Sequence, residues 1–182
     1  NTGSTCTNTM GGSASVAVSP LPTPYTLTSL GTSYCAGGTG VLFGLSGSAS
    51  GVNYQLYVGG VATGSVVAGT GGLISFGPQT TVGTYTASAV DATTGCANNM
   101  TGTIGLSVNP LPALFAVTGG GNYCTGGTGV VIGLDGSNTG TSYQLYNGSV
   151  AVGASMPGST GAPVSFGLQT APGTYTVVAI TT

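Results

Sequence analysis

The sequence predicts an all-β chain made of tandem β-sandwich units of about 90 residues each. Three observations predict it. The phrase YCAGGTGVLFGLSGS at Tyr34 returns as YCTGGTGVVIGLDGS at Tyr123, an offset of 89. Apolar residues alternate with small or polar ones in short runs bounded by Gly, Pro and Ser, which is the period of a half-buried strand. Helical periodicity is absent, because no stretch of ten residues avoids Gly or a β-branched residue.

Taken along the chain, the tail comes first. TCTNTMGG at Thr5 matches GCANNMTG at Gly95, and SPLPT at Ser19 matches NPLPA at Asn109. Residues 1–20 therefore read as the last strand and tail of a preceding repeat. Ala14, Val16 and Val18 stand where Ile104, Leu106 and Val108 form the final strand of the next unit. Pro20 with Pro22, and Pro110 with Pro112, mark short stiff junctions, since proline restricts its own φ and the residue before it.

Residues 21–110 form one whole repeat. Val41, Phe43 and Leu45 share a strand face, as do Ile74 and Phe76, and Tyr85, Ala87 and Ala89. Residues 111–182 repeat the pattern without its last strand. Val130, Ile132 and Leu134 match the first face, SYQLY at Ser142 matches NYQLY at Asn53, VSFGLQT at Val164 matches ISFGPQT at Ile74, and Tyr175, Val177 and Ala179 match the third face. At an offset of 90, Thr182 corresponds to Ala92 and Asn1 to Asp91, so within the repeat the sequence finishes almost where it starts. About seven strands in about 90 residues is the size of an immunoglobulin-like sandwich. A neighbouring copy, placed head to tail, is expected to supply the missing strand by strand complementation.

Composition removes whole classes of function. There is no Lys, Arg or His, and the two acidic residues are Asp91 and Asp135. No basic patch exists for nucleic acid or anionic lipid. The usual general bases are missing, so the abundant Ser and Thr hydroxyls have nothing to activate them, and no enzyme is expected. No apolar run approaches the ~20 residues of a membrane-spanning helix. A formal net charge of −2 favours association over colloidal solubility, a liability for a free monomer and acceptable for a permanent fibre. No signal peptide is evident at the start.

Four cysteines occupy two repeat positions: Cys35 with Cys124, and Cys6 with Cys96. The expected pairing is Cys35–Cys96 within the complete unit and Cys6 with Cys124 of an adjoining copy, which implies an oxidising compartment. Without His or C-x-x-C spacing, no metal site and no cofactor are expected. Asp91 and Asp135 offer calcium-type oxygens, but neither recurs in the repeat, and both read as turn residues. GGTG lacks the Lys and the following helix of a phosphate loop and reads as a turn. Tyr57 and Tyr146 are a weak sugar-stacking candidate or cover a sheet face. Asn99 in NMT and Asn147 in NGS satisfy the N-glycosylation pattern.

The phrases YCAGGTG, YQLY, ISFGPQT, GTYTASA and SVNPLP resemble the immunoglobulin-like repeats of very large secreted adhesin-like surface proteins of Bacteroidetes-type bacteria. The resemblance spans essentially the whole chain and implies export to the cell surface and a scaffold or adhesive role. The expected function is a structural subunit or repeat segment of an extracellular filament or stalk. Its partners would be copies of itself, head to tail and through lateral association. The alternative is an adhesin module that contacts glycans or a partner cell through the divergent stretch 58–72.

Overall fold

The computed structural model describes residues 3–181; Asn1, Thr2 and Thr182, with the repeat equivalences drawn for Asn1 and Thr182, lie outside the described residues. All regular structure among them is β. The chain divides into two units, Asn1–Val108 and Asn109–Thr182.

In unit 1 the strands are β1 (Leu27–Ser29), β2 (Ser33–Cys35), β3 (Val41–Leu45), β4 (Val52–Val58), β5 (Val61–Ala68), β6 (Ile74–Gln79), β7 (Gly83–Asp91), β8 (Ala97–Asn99) and β9 (Ile104–Asn109). One sheet has the order β1-β3-β6. The other runs β2-β9-β7-β4-β5, with β8 also on β7. This order, with sheets facing across one core, is that of an immunoglobulin-like sandwich. The predicted alternation is realised: Val41, Phe43, Leu45, Tyr85, Ala87 and Ala89 are all buried. Leu106 is buried too, whereas Val108, placed on the same face, is 41% exposed.

Unit 2 contains β10 (Val117–Gly119), β11 (Val130–Leu134), β12 (Thr141–Asn147), β13 (Val150–Pro157), β14 (Val164–Gln169) and β15 (Tyr175–Thr181). Its sheets are β10-β11-β14 and β13-β12-β15. Counterparts of β2, β8 and β9 do not occur among its described residues. Tyr143, Leu134 and Val164 form its core, with Phe115, Val177 and Ala179 packed beside them only half-buried.

Two repeated phrases acquire a physical meaning. In YQLY the first Tyr is buried and its hydroxyl oxygen accepts a backbone N–H: Ala49 to Tyr54 at 2.9 Å, Asn138 to Tyr143 at 3.0 Å. The following Gln sits where the pairing with the next strand shifts register, between Tyr54 and Leu56 and between Tyr143 and Leu145. Its side-chain amide donates to carbonyls freed there, Gln55 to Thr63 at 2.8 Å and Gln144 to Val152 at 3.0 Å, so the bulge leaves few polar groups unpaired. In GTYT the tyrosine hydroxyl donates to a carbonyl four residues back, Tyr85 to Thr81 at 2.6 Å and Tyr175 to Ala171 at 2.8 Å. That contact closes the corner where the chain crosses between sheets.

The GGTG turn ends on a glycine at φ 85° in both units, Gly40 and Gly129. A Cβ there would collide with the carbonyl of Gln79 or Gln169, so only glycine enters β3 and β11 at this angle.

Candidate assembly site

In unit 1, β7 is covered along its outer edge. β8 pairs with Ser88–Val90, and β9 pairs with Gly83–Tyr85. In unit 2, β15 pairs with β12 without interruption from Tyr175 to Thr181 and has no partner on its other side among the described residues. The opposite edge of the same sheet is different. β13 carries the register shift beside Tyr143, and its Gly153 is at φ 65°, which bends that edge out of regular pairing. The open edge of β15 has no bulge, no charge and no proline. It lacks the devices by which sheets usually prevent further pairing.

Behind this edge lie two hollows, the first mainly apolar and the second mixed, with Asn122 and Gln169 also on its wall. The first, about 430 Å³, is walled by Phe115, Val117, Tyr143, Val177 and Ala179. Their repeat counterparts in unit 1 are Tyr25, Leu27, Tyr54, Ala87 and Ala89, and there the core also contains Met100, only 6% exposed. Met100 comes from the segment between β8 and β9, and its sulfur accepts the Tyr25 N–H at 3.3 Å. The second hollow, about 440 Å³, is walled by Tyr123, Val130, Ile132, Gly173 and Tyr175. In unit 1, β9 covers this place: Leu106 pairs with Gly83, the counterpart of Gly173, and is 3% exposed. Tyr85 is fully buried beneath β9, whereas its counterpart Tyr175 is half-buried.

The residues predicted to form a donor strand lie unpaired. Ala14, Val16 and Val18 are outside any strand, and both valines are 96% exposed. Met10, the counterpart of Met100, is 76% exposed. Of the junction prolines, Pro22 is buried in unit 1 and its carbonyl accepts the Asn98 side-chain amide at 2.8 Å; Pro112 is half-buried, and Pro20 and Pro110 are exposed.

The expected Cys35–Cys96 disulfide needs correction. All four cysteines are free. Cys35 ends β2 at the start of β7, where the Tyr34 hydroxyl donates to Thr80 at 2.6 Å. Cys96 sits at the other end, its carbonyl accepting the Asp91 N–H at 2.9 Å. Nine residues of β7 separate the two places, about 26 Å at a strand's rise per residue. A disulfide requires Cα atoms within about 7 Å, so Cys35–Cys96 does not form. The expected pairing of Cys6 with Cys124 lies between adjoining copies, and a single chain does not test it. Sequence spacing closes a loop on paper but is silent on which end of a sheet each cysteine occupies.

Among the other residues considered, Asp91 accepts the Thr94 and Thr93 N–H groups at 2.8 and 2.9 Å in a tight turn. These bonds, the one from Thr94 first, hold its carboxyl below the usual carboxylate range. Asp135 accepts the Ala116 N–H at 2.8 Å. No group of three or more His, Cys, Asp or Glu among the described residues is placed to hold a metal ion. Tyr57 and Tyr146 are half-buried on the outer face of β4 and β12. Asn99 lies in β8 and is exposed, and the Asn147 amide donates to Pro172 at 3.3 Å. The stretch 58–72, expected as a loop, is mostly β5, an edge strand paired with β4. No helix among the described residues is long and apolar enough to cross a membrane.

No family model and no curated protein matches the chain. Among solved structures, it is similar to the human OSCAR ligand-binding domain, at 15% identity and a TM-score of 0.40 over 88% of this chain and 90% of that one.

Proposed function

We propose that the chain is a structural subunit or repeat segment of an extracellular filament or stalk, in which immunoglobulin-like units join head to tail by strand complementation. One observation carries this reading. Unit 2 holds an unbulged open edge over two hollows, one of them mainly apolar, and residues 10–18 are an unpaired segment with the repeat pattern that covers the same place in unit 1. Each Val or Met side chain moved from water into such a hollow stabilises the joint by about 1.5–3 kcal/mol, and backbone hydrogen bonds along β15 add register. A surface almost without charge supports the same reading, because it opposes association so little.

The resemblance to secreted surface repeats favours an extracellular location. The absence of Lys, Arg, His and Glu favours a scaffold over an enzyme. Electron microscopy of the purified full chain tests the proposal. Filaments with an axial repeat matching two sandwich lengths support it, and particles that stay monomeric at all concentrations refute it.

A further inference from the structure

The filament reading leaves open which residues make the joint, and the repeat geometry assigns them. We infer that residues 10–18 of a second copy lie antiparallel on β15, with Met10 in the hollow of Phe115 and Tyr143, and Val16 over Gly173 and Ile132. In this joint the second copy's Cys96 meets Cys124. The inference rests on the filament proposal and specifies its partner.

The register follows from unit 1. Met100, Ile104 and Leu106 stand at an offset of 90 from Met10, Ala14 and Val16. There Met100 and Leu106 fill the core, Ile104 pairs with Tyr85, and Leu106 pairs with Gly83. The corresponding positions on β15 and just before it are Tyr175 and Gly173, both on the wall of the second hollow. Occupants one residue out of register would turn Val16 away from the hollow, because successive strand residues face opposite sides.

The cysteine pairing follows from that fit together with two further contacts. In unit 1 the Cys96 sulfur lies 3.9 Å from the carbonyl oxygen of Ser19, the residue that follows the 10–18 segment. Cys35 closes β2, which neighbours β9, with the Ser107 N–H on the Thr32 carbonyl at 2.9 Å. Cys124 holds the Cys35 position and keeps its turn, the Gly127 N–H donating to its carbonyl at 2.8 Å as Gly38 does to Cys35 at 2.9 Å. A strand docked like β9 therefore delivers the second copy's Ser19, and with it Cys96, beside Cys124. Two thiols join by exchange with a small-molecule disulfide. The new S–S bond forms as the oxidant's own S–S bond is cleaved to two thiols, which take up the two protons and two electrons released.

The test uses the full chain with oxidised glutathione. Non-reducing gels and filament yield are measured for wild type, Met10→Asp, Val16→Asp and Cys124→Ser, and the linked peptides are identified by mass spectrometry after chymotryptic digestion. Met10 and Val16 are exposed in the single chain, so their substitution leaves each monomer folded. The expected results are a rise of about 10-fold or more in critical concentration for each Asp variant, a peptide linking Cys124 to Cys96 in wild type, and loss of that link in Cys124→Ser. Filaments with unchanged critical concentration in both Asp variants overturn the assigned strand while leaving the filament proposal intact. A Cys6–Cys124 link overturns the register. Wild-type chains that never assemble overturn both.

Discussion

The rings of Phe43 and Tyr85 lie with centroids 4.5 Å apart and planes at 37°, joining β3 of one sheet to β7 of the other. The Tyr85 hydroxyl is anchored on Thr81, so one side chain both bridges the sheets and closes the corner leading into β7. Phe43→Ala is expected to destabilise unit 1 by about 3–5 kcal/mol. Tyr85→Phe should cost about 1 kcal/mol, the net worth of one hydrogen bond. Urea unfolding of the two variants and Phe43→Ala/Tyr85→Ala double-mutant cycles check these values; a coupling near zero would show that the ring contact is incidental.

The same tyrosine sets an alkaline limit. Burial pushes the Tyr85 phenol above its ordinary pKa, outweighing the Thr81 hydrogen bonds that pull it down, with a smaller upward push from Tyr34. A raised folded-state pKa means that the associated stability is whole below about pH 10 and is lost as pH rises through the folded value. The drop in unfolding midpoint between about pH 8 and about pH 11 should be smaller in Tyr85→Phe than in wild type.

Met100 and Met10 share a repeat position and should respond in opposite ways. Met100→Ala empties a filled site in unit 1 and is expected to cost about 2–5 kcal/mol in a single chain. Met10→Ala removes an exposed side chain and should leave the unfolding midpoint of dilute chains unchanged. Equal losses for the two would mean that residue 10 is already packed within its own chain.

Asp91 should matter at low pH. Its depressed pKa makes its contribution present above about pH 4 and lost as pH falls through the folded value. Asp91→Ala should lower the thermal midpoint at neutral pH, and the gap to wild type should close under acid. The carboxylate oxygen that accepts Thr93 and Thr94 already serves the turn, so calcium is expected to leave the midpoint where it is.

Gly40→Ala tests the turn into β3. The substitution imposes a side chain at φ 85° against the Gln79 carbonyl, and a loss of more than 1 kcal/mol is expected from denaturant titration. An unchanged midpoint would mean that the turn relaxes freely.

Much of the fold was legible in the residues themselves. The two-residue alternation of Val41, Phe43 and Leu45, and of Tyr85, Ala87 and Ala89, is a local property of strands, and the structure buries those residues. The repeat likewise exposed the kinship of residues 10–18 with the Met100 segment and β9. The bulge role of Gln55 was not legible, because it depends on which strand lies beside β4. Nor was β5 legible in its Gly-rich stretch, since an edge strand facing solvent has little apolar pattern to read. By itself, the sequence determined the strand character, the repeat and the exclusion of charge-dependent chemistry, all of which follow from side-chain identity and near spacing. Only tertiary structure decided that Cys35 and Cys96 occupy opposite ends of β7 and that β15 keeps an open edge, because strand order and direction arise from pairings between residues far apart in the chain.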